Sequence, residues 1–303
     1  MLVKPQQTIP IQEIEYHGYK ISIKREDLIH PEISGNKFWK LFHNVNDYLK
    51  EKISHPQIIT FGGAYSNHIS VVAAFGKIYN IPTLGIIRGE ELQEPNLWNF
   101  TLQKAHENRM DFRFISRENY RDKNKIADQL QEEFPSALIL PEGGTNPKAV
   151  LGIKNMLNDQ TKEFDYLCAA VGTGGTLAGL SRFSQSEQKI LGFAVVKDNS
   201  LENSILKNTG RNNFTLADAS FGKYGKINEE VVRFINNFWK NYHIPLEPVY
   251  TGKMMKKLFE LIDEKKLKKE NKILAFHTGG LQGIVGANEL LKRKKKETIQ
   301  FIE

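Results

Sequence analysis

The order of apolar and polar segments predicts an α/β protein with open, mainly parallel sheets. Short apolar runs of strand length alternate with segments whose apolar residues recur at helical spacing. Glycine-rich loops repeatedly follow the strand-like runs, and in open parallel sheets ligands collect outside the carboxyl ends of strands. With 303 residues the chain can bury a substantial core, and its length fits two domains.

Taken in order, residues 9–23 read as short strands around the turn His17-Gly18, leading into the charged run Lys24-Arg25-Glu26-Asp27. Phe38, Leu41, Phe42, Val45 and Leu49 then mark a helix that runs to Lys50. A strand–loop–helix rhythm follows, with strands at 58–61, 83–87, 112–115 and 137–140 and helices at 69–79, 96–107 and 123–134. A second series has a helix at 149–158, a strand at 166–171, a helix at 177–183 and a strand at 190–195. The polar stretch 197–226 yields no assignable element. Helices at 229–242 and 253–267, a strand at 272–276 and a last helix complete the chain. There is no fixed-period repeat or low-complexity tract.

The net charge of +7 is local: much of it sits at 265–269 and 292–296, runs that read as solvated helix faces. No nucleic-acid-binding motif accompanies them, so no nucleic-acid partner is expected. No apolar run is long enough to span a bilayer and the N-terminus shows no signal pattern, so no membrane role is expected. The single cysteine, Cys168, precludes an internal disulfide and a multi-cysteine metal site, which fits a reducing, cytoplasmic setting. No pair of histidines has metal-ligand spacing, and no metal is expected.

The chemistry-bearing loops are five. In Ser34-Gly35-Asn36-Lys37 a lysine stands at a helix start beside the aromatics Phe38 and Trp39. Such a lysine is either a solvated surface residue or, if its surroundings strip its proton, a Schiff-base nucleophile. Gly172-Thr173-Gly174-Gly175-Thr176 follows an apolar strand and opens a helix, where backbone N–H groups and the helix dipole suit a phosphate. It lacks dinucleotide-binding spacing and the lysine of a P-loop, and a tight structural turn is the alternative. Ser66-Asn67-His68 presents either anion-binding donors or simple N-caps. Glu142-Gly143-Gly144-Thr145-Asn146 and His277-Thr278-Gly279-Gly280 are each weak alone.

Together, Ser-Gly-Asn-Lys, Tyr-Ser-Asn-His, Glu-Gly-Gly-Thr-Asn, Gly-Thr-Gly-Gly-Thr, Val-Tyr-Thr-Gly-Lys (249–253) and His-Thr-Gly-Gly appear in that order. The ordered set resembles the pyridoxal-phosphate enzymes of the 1-aminocyclopropane-1-carboxylate deaminase and D-cysteine desulfhydrase family, over roughly residues 24–286. The resemblance implies the tryptophan-synthase-β-type fold (fold type II). Residues 1–43 and 149–303 would form a large domain holding pyridoxal 5'-phosphate, and 44–148 a small α/β domain closing over it. It implies that Lys37 bears the internal aldimine and moves protons at the substrate α-carbon. It implies that Asn67 bonds the cofactor's phenolic oxygen, that Ser66 lies near the substrate carboxylate, and that Gly172, Thr173, Gly174, Gly175 and Thr176 form the phosphate cup. Tyr224 and Tyr250 match the two active-site tyrosines, and Thr278 a hydroxyl at the pyridine nitrogen.

Two positions separate the family's branches. The ring-opening deaminases carry glutamate after the active-site tyrosine and leucine after the histidine of the last loop; this chain has Thr251 and Thr278, the desulfhydrase pattern. The expected activity is therefore α,β-elimination from a small amino acid, D-cysteine first, with 1-aminocyclopropane-1-carboxylate or D-serine as the alternatives. A homodimer is expected by resemblance. Ile69-Ser70 stand where the family places a basic residue two positions after the histidine, and 195–213 align poorly. Both departures bear on the substrate side more than on the cofactor side.

Overall fold

The computed structural model describes residues 2–5, 8–222 and 227–300. Among them the strands are β1 (Ile11–Tyr16), β2 (Tyr19–Lys24), β3 (Ile58–Gly63), β4 (Thr83–Arg88), β5 (Met110–Ile115), β6 (Leu138–Leu140), β7 (Tyr166–Val171), β8 (Lys189–Ala194), β9 (Phe214–Asp218) and β10 (Ile273–Phe276). The helices are α1 (Asn36–Lys50), α2 (Asn67–Tyr79), α3 (Phe100–Glu107), α4 (Lys123–Glu133), α5 (Pro147–Ile153), α6 (Gly175–Phe183), α7 (Leu201–Thr209), α8 (Glu229–Tyr242), α9 (Thr251–Asp263) and α10 (Gly283–Arg293).

Two open sheets result. One has the order β1-β2-β10-β7-β8-β9 and is parallel except for the β1–β2 hairpin. The other, β5-β4-β3-β6, is wholly parallel. The hairpin turns at His17 (φ 50°) and Gly18 (φ 77°), the paired positive φ values that let a two-residue turn follow the twist of its strands. β3 and β4 are buried on both faces, so they read as unbroken apolar runs rather than alternating ones. One core cluster reaches from the small sheet into the large one, uniting Ile58, Val72 and Ile87 with Leu167, Ile190 and Phe276. A second packs Ile21 and Phe193 against Val232 of α8 and Leu258 of α9, and a third sets Phe61 and Ile86 against Tyr120 and Leu130.

The differences from the sequence reading have local causes. Residues 197–226 contain α7 and β9. α7 offers only Leu201, Ile205 and Leu206 as apolar signal, and β9 is a half-buried edge strand, so neither carries a clear period. The helix expected at 149–158 ends as α5 at Ile153 and tightens into a 3₁₀ turn, Lys154–Met156. The helix expected to reach Leu267 stops at Asp263: Lys265 is left-handed (φ 54°), and the N–H groups of Lys265 and Lys266 return to Ile262 and Leu261. α10 ends in the same way at Lys295 and Lys296. Lys292 and Arg293 are exposed on the last turn of α10, as expected, while the rest of the two basic runs forms helix C-terminal caps and the turns beyond them. Cations belong there because the carbonyl end of a helix carries partial negative charge.

α5 packs closely against the first turn of α1. A side chain at residue 152 would put its Cβ 1.9 Å from the Trp39 carbonyl oxygen, so only glycine fits. Gly152→Ala should destabilise the protein by about 1–3 kcal/mol through overpacking, read as a lower urea midpoint at unchanged slope.

Candidate active site

β2 and β10 are parallel neighbours, so the segments leaving their carboxyl ends lie side by side. Gly35, the residue before α1, sits at φ 67° against the loop that follows β10. A Cβ there would lie 1.9 Å from the Thr278 carbonyl oxygen, and one at Gly279 would lie 2.9 Å from Ser34 Oγ. Glycine is demanded at 35 both by its backbone angle and by this approach. The contact brings the start of α1, which carries Lys37 in its first turn, against the loop that holds Thr278.

Lys37 is half-buried, and its Nζ lies 3.4 Å from the Gly143 carbonyl oxygen. Desolvation lowers its pKa from 10.5 to about 8, with no carboxylate to oppose the shift. One turn on, buried Lys40 donates to the same carbonyl (3.1 Å) and to Thr145 Oγ1 (3.0 Å). Its pKa falls well below that of a surface lysine through burial and the nearby Lys37 charge. His68 is buried against Gly144, and both its ring nitrogens lack a hydrogen-bond partner among the described residues. Burial, then the charges of Lys37 and Lys40, keep its imidazole neutral.

The loop before α6 comes to the same place. Gly174 is left-handed (φ 82°), and no side chain caps the helix. The Thr145 and Thr173 hydroxyls are 2.7 Å apart, and Asn36 Nδ2 donates to Thr176 Oγ1 at 2.7 Å. A Cβ at Gly175 would strike Thr145 Oγ1 at 2.6 Å. Three hydroxyls, an uncapped helix N-terminus and the Lys40 amine make a cradle whose chemistry suits one phosphate.

The other expected residues gather around it. Tyr250 packs over Gly172, where a Cβ would meet its Cε1 at 3.0 Å. Asn67 faces the last loop: its Oδ1 accepts from Gln282 Nε2 (3.3 Å), and its Nδ2 is 2.5 Å from where a Cβ on Gly280 would lie. Ser66 is an N-cap, its Oγ accepting from the Ile69 N–H at 3.3 Å. Tyr224 lies outside the described residues. Lys40 escaped the sequence reading, although its position three residues after Lys37 puts both amines on one helix face. Glu247 escaped it too. This buried carboxylate accepts the N–H groups of Val249, Tyr250 and Thr251 at the start of α9, while burial raises its pKa to about 7. Among the described residues no cluster of three metal-ligating side chains occurs, and no helix is long and apolar enough to cross a membrane.

The profile described as "Pyridoxal-phosphate dependent enzyme" matches residues 1–279, and the chain belongs to that family. Pyridoxal phosphate is its cofactor, and the cradle, the amines and the unpartnered imidazole fit such a group. A Pyrococcus furiosus protein with a provisional 1-aminocyclopropane-1-carboxylate deaminase assignment is 33% identical, with 88% of this chain and 86% of that protein covered. The bifunctional D-cysteine desulfhydrase/1-aminocyclopropane-1-carboxylate deaminase of Arabidopsis thaliana is 27% identical, with 88% and 74% covered. The D-cysteine desulfhydrase of Yersinia enterocolitica is 26% identical, with 88% of each covered. The solved structure of an "ACC deaminase homologue" superposes with a TM-score of 0.79 at 30% identity, covering 95% of this chain and 94% of that one. An O-acetylserine-dependent cystathionine β-synthase from Helicobacter pylori shares the fold at 14% identity, 92% and 94% coverage and TM-score 0.66. These likenesses bear out the recognised family, its fold and its cofactor.

In cofactor-free protein, Lys37 should react with an amine-directed acylating reagent along a titration centred near pH 8, well below that of surface lysines, as peptide mapping would read. About a quarter of Lys37 would then be neutral at pH 7.5. Because its folded pKa is depressed, its contribution opposes folding below about pH 8 and is relieved as pH rises from there toward 10.5.

Proposed function

We propose that this protein is a pyridoxal-phosphate lyase that eliminates a β-substituent from a small D-amino acid, D-cysteine first, giving pyruvate, ammonia and hydrogen sulfide. The observation that carries this reading is the approach of Gly35, two residues before Lys37, to the Thr278 backbone, which brings the loop bearing a threonine, not a carboxylate, next to the start of α1. Glu247, a buried carboxylate close to the last loop, is committed to the N–H groups that open α9. The Thr251 hydroxyl is likewise turned to Glu247, 3.0 Å from its N–H. The family resemblance gives Thr278 the place of the hydroxyl at the pyridine nitrogen. A hydroxyl there leaves the nitrogen largely unprotonated, where a carboxylate would favour the proton. A less electron-poor ring favours prompt departure of a β-leaving group.

Pyridoxal phosphate, when bound, supplies the electron sink for cleavage at the substrate α-carbon. The chain's own residues supply the rest. Lys37 would hold the cofactor covalently and, once the substrate's own amine has taken its place there, would be the free amine that takes up the α-proton. Lys40, with the hydroxyls of Thr145, Thr173 and Thr176 and the turn Gly172-Thr173-Gly174-Gly175, binds the phosphate. Asn67 donates to the phenolic oxygen. The helix start at Ser66-Asn67 would receive the substrate carboxylate, Tyr250 would stand at the reacting face, and the family resemblance gives Tyr224 the role of the second tyrosine. Residues 44–148 act as the small domain that closes over the site, and the protein works as a homodimer.

A deaminase of 1-aminocyclopropane-1-carboxylate is the second reading, favoured by the names of several relatives. A panel of D- and L-amino acids with the cyclopropane substrate, scored for keto acid, separates the two. Pyruvate from D-cysteine should form about ten-fold faster than 2-oxobutyrate from the cyclopropane, roughly 1.4 kcal/mol in barrier; the reverse order overturns the proposal. Lys37→Ala should abolish the visible absorbance of bound cofactor and lower turnover by a factor on the order of a thousand.

A further inference from the structure

Helix α9 starts on a residue that does not cap it. Its N-cap position is held by Tyr250, whose side chain makes no capping hydrogen bond, where serine, threonine, asparagine or aspartate would satisfy a free N–H. That duty falls to Glu247, three residues earlier. Its Oε1 accepts the N–H groups of Tyr250 at 2.5 Å and Thr251 at 2.6 Å, and its Oε2 accepts that of Val249 at 2.9 Å. In return Thr251 Oγ1 accepts the Glu247 N–H at 3.0 Å, and the Glu247 carbonyl accepts the Gly252 N–H at 2.9 Å. The turn 247–252 is thus wrapped round one carboxylate that is 1% exposed. Burial raises the pKa of that carboxyl against the opposing pull of the three N–H groups and the Lys253 charge, so the charge is held there at a cost.

The same segment is fastened to the loop that follows β10. His277, kept neutral by burial, gives its Nε2 proton to the Pro245 carbonyl at 2.6 Å and accepts the Gly279 N–H at Nδ1, 3.3 Å away. Glu247 itself lies against Gly280, where a Cβ would come 3.2 Å from its Cγ. From this anchored turn the Tyr250 ring reaches Gly172, at the start of the loop before α6. A Cβ at residue 172 would lie 3.0 Å from Tyr250 Cε1 and 3.3 Å from its hydroxyl oxygen. Capping α9 does not by itself require a buried charge, because serine or asparagine at 250 would do it with a neutral group. The chain gives that position to a tyrosine turned to the site loops and supplies the missing acceptor from Glu247.

We propose that Glu247 is a positioning residue whose carboxylate fixes the Tyr250 ring over Gly172 by holding the main chain of residues 249–251. The inference rests on the part given above to Tyr250 at the reacting face. A tyrosine hydroxyl stands a whole ring away from its backbone, so a small shift of that backbone moves it far. Three hydrogen bonds to one carboxylate fix the backbone at three successive residues. Packing on Gly172 then fixes the ring.

The test follows Tyr250 directly, by tetranitromethane nitration and peptide mapping of the full-length protein with its cofactor bound. Tyr79, at the end of α2, and Tyr166, at the start of β7, serve as references outside the turn. Glu247→Gln keeps an acceptor for two of the three N–H groups and turns a donor toward the other. Losing one buried hydrogen bond should open the turn enough to raise Tyr250 nitration about ten-fold, with both references unchanged. Glu247→Ala should raise it further; where that variant fails to fold, Glu247→Gln carries the test. With D-cysteine, kcat of Glu247→Gln should fall about ten-fold while KM changes less than about two-fold. Unchanged nitration of Tyr250, or a rise that Tyr79 and Tyr166 share, overturns the inference, because the carboxylate would then hold the fold and not the ring. A rise confined to Tyr250 with kcat unchanged overturns instead the role given to Tyr250 in the proposed function, with the placement by Glu247 upheld.

Discussion

The approach of Gly35 to the Thr278 carbonyl is the constraint on which the site depends. It joins the segment that follows β2 to the loop that follows β10, two strands far apart in sequence and adjacent in the sheet. A Cβ at residue 35 cannot be accommodated, because it would fall on backbone that cannot swing aside. With that contact made, α1 begins where it does, and its first turn carries Lys37 and then Lys40 toward the Gly143 carbonyl. The other site loops close on this pair through short side-chain and backbone contacts.

The electrostatic result follows from that packing. Two amines meet an uncapped helix N-terminus, a neutral imidazole and three hydroxyls, and among the described residues no carboxylate raises the pKa of either amine. Like charges held together out of water lower one another's affinity for protons, as Lys37 does to Lys40 and both do to His68. Such a site calls for an anion and at the same time keeps one amine poised to lose its proton. A phosphate-bearing aldehyde answers both requirements, in keeping with the family to which the chain belongs.

Much of this was legible in the residues. Lys37, Gly172 to Thr176, Asn67, Tyr250 and Thr278 stand in short ordered motifs, and the glycines in those motifs sit where a Cβ would strike a neighbouring segment. The strands were legible because parallel strands buried on both faces are unbroken apolar runs, as β3 and β4 are. α7 and β9 were not, since one has three apolar residues and the other lies half-exposed at a sheet edge. Ser66 could be read as a cap or as an anion donor, and within the chain it acts as a cap. The basic runs near the end looked like solvated helix faces and are helix ends with the turns that follow, because the left-handed residues there are lysines rather than the glycine that usually marks such a stop.

By itself the amino-acid sequence determined the alternation of strands and helices, the family and the cofactor. These depend on local pattern and on ordered short motifs, which one dimension can hold. Tertiary structure alone decided that Lys40 and His68 join the site and that Glu247 is spent on the start of α9. Desolvation and like-charge proximity are properties of a packed interior. They arise only where strands distant in the chain become neighbours in a sheet.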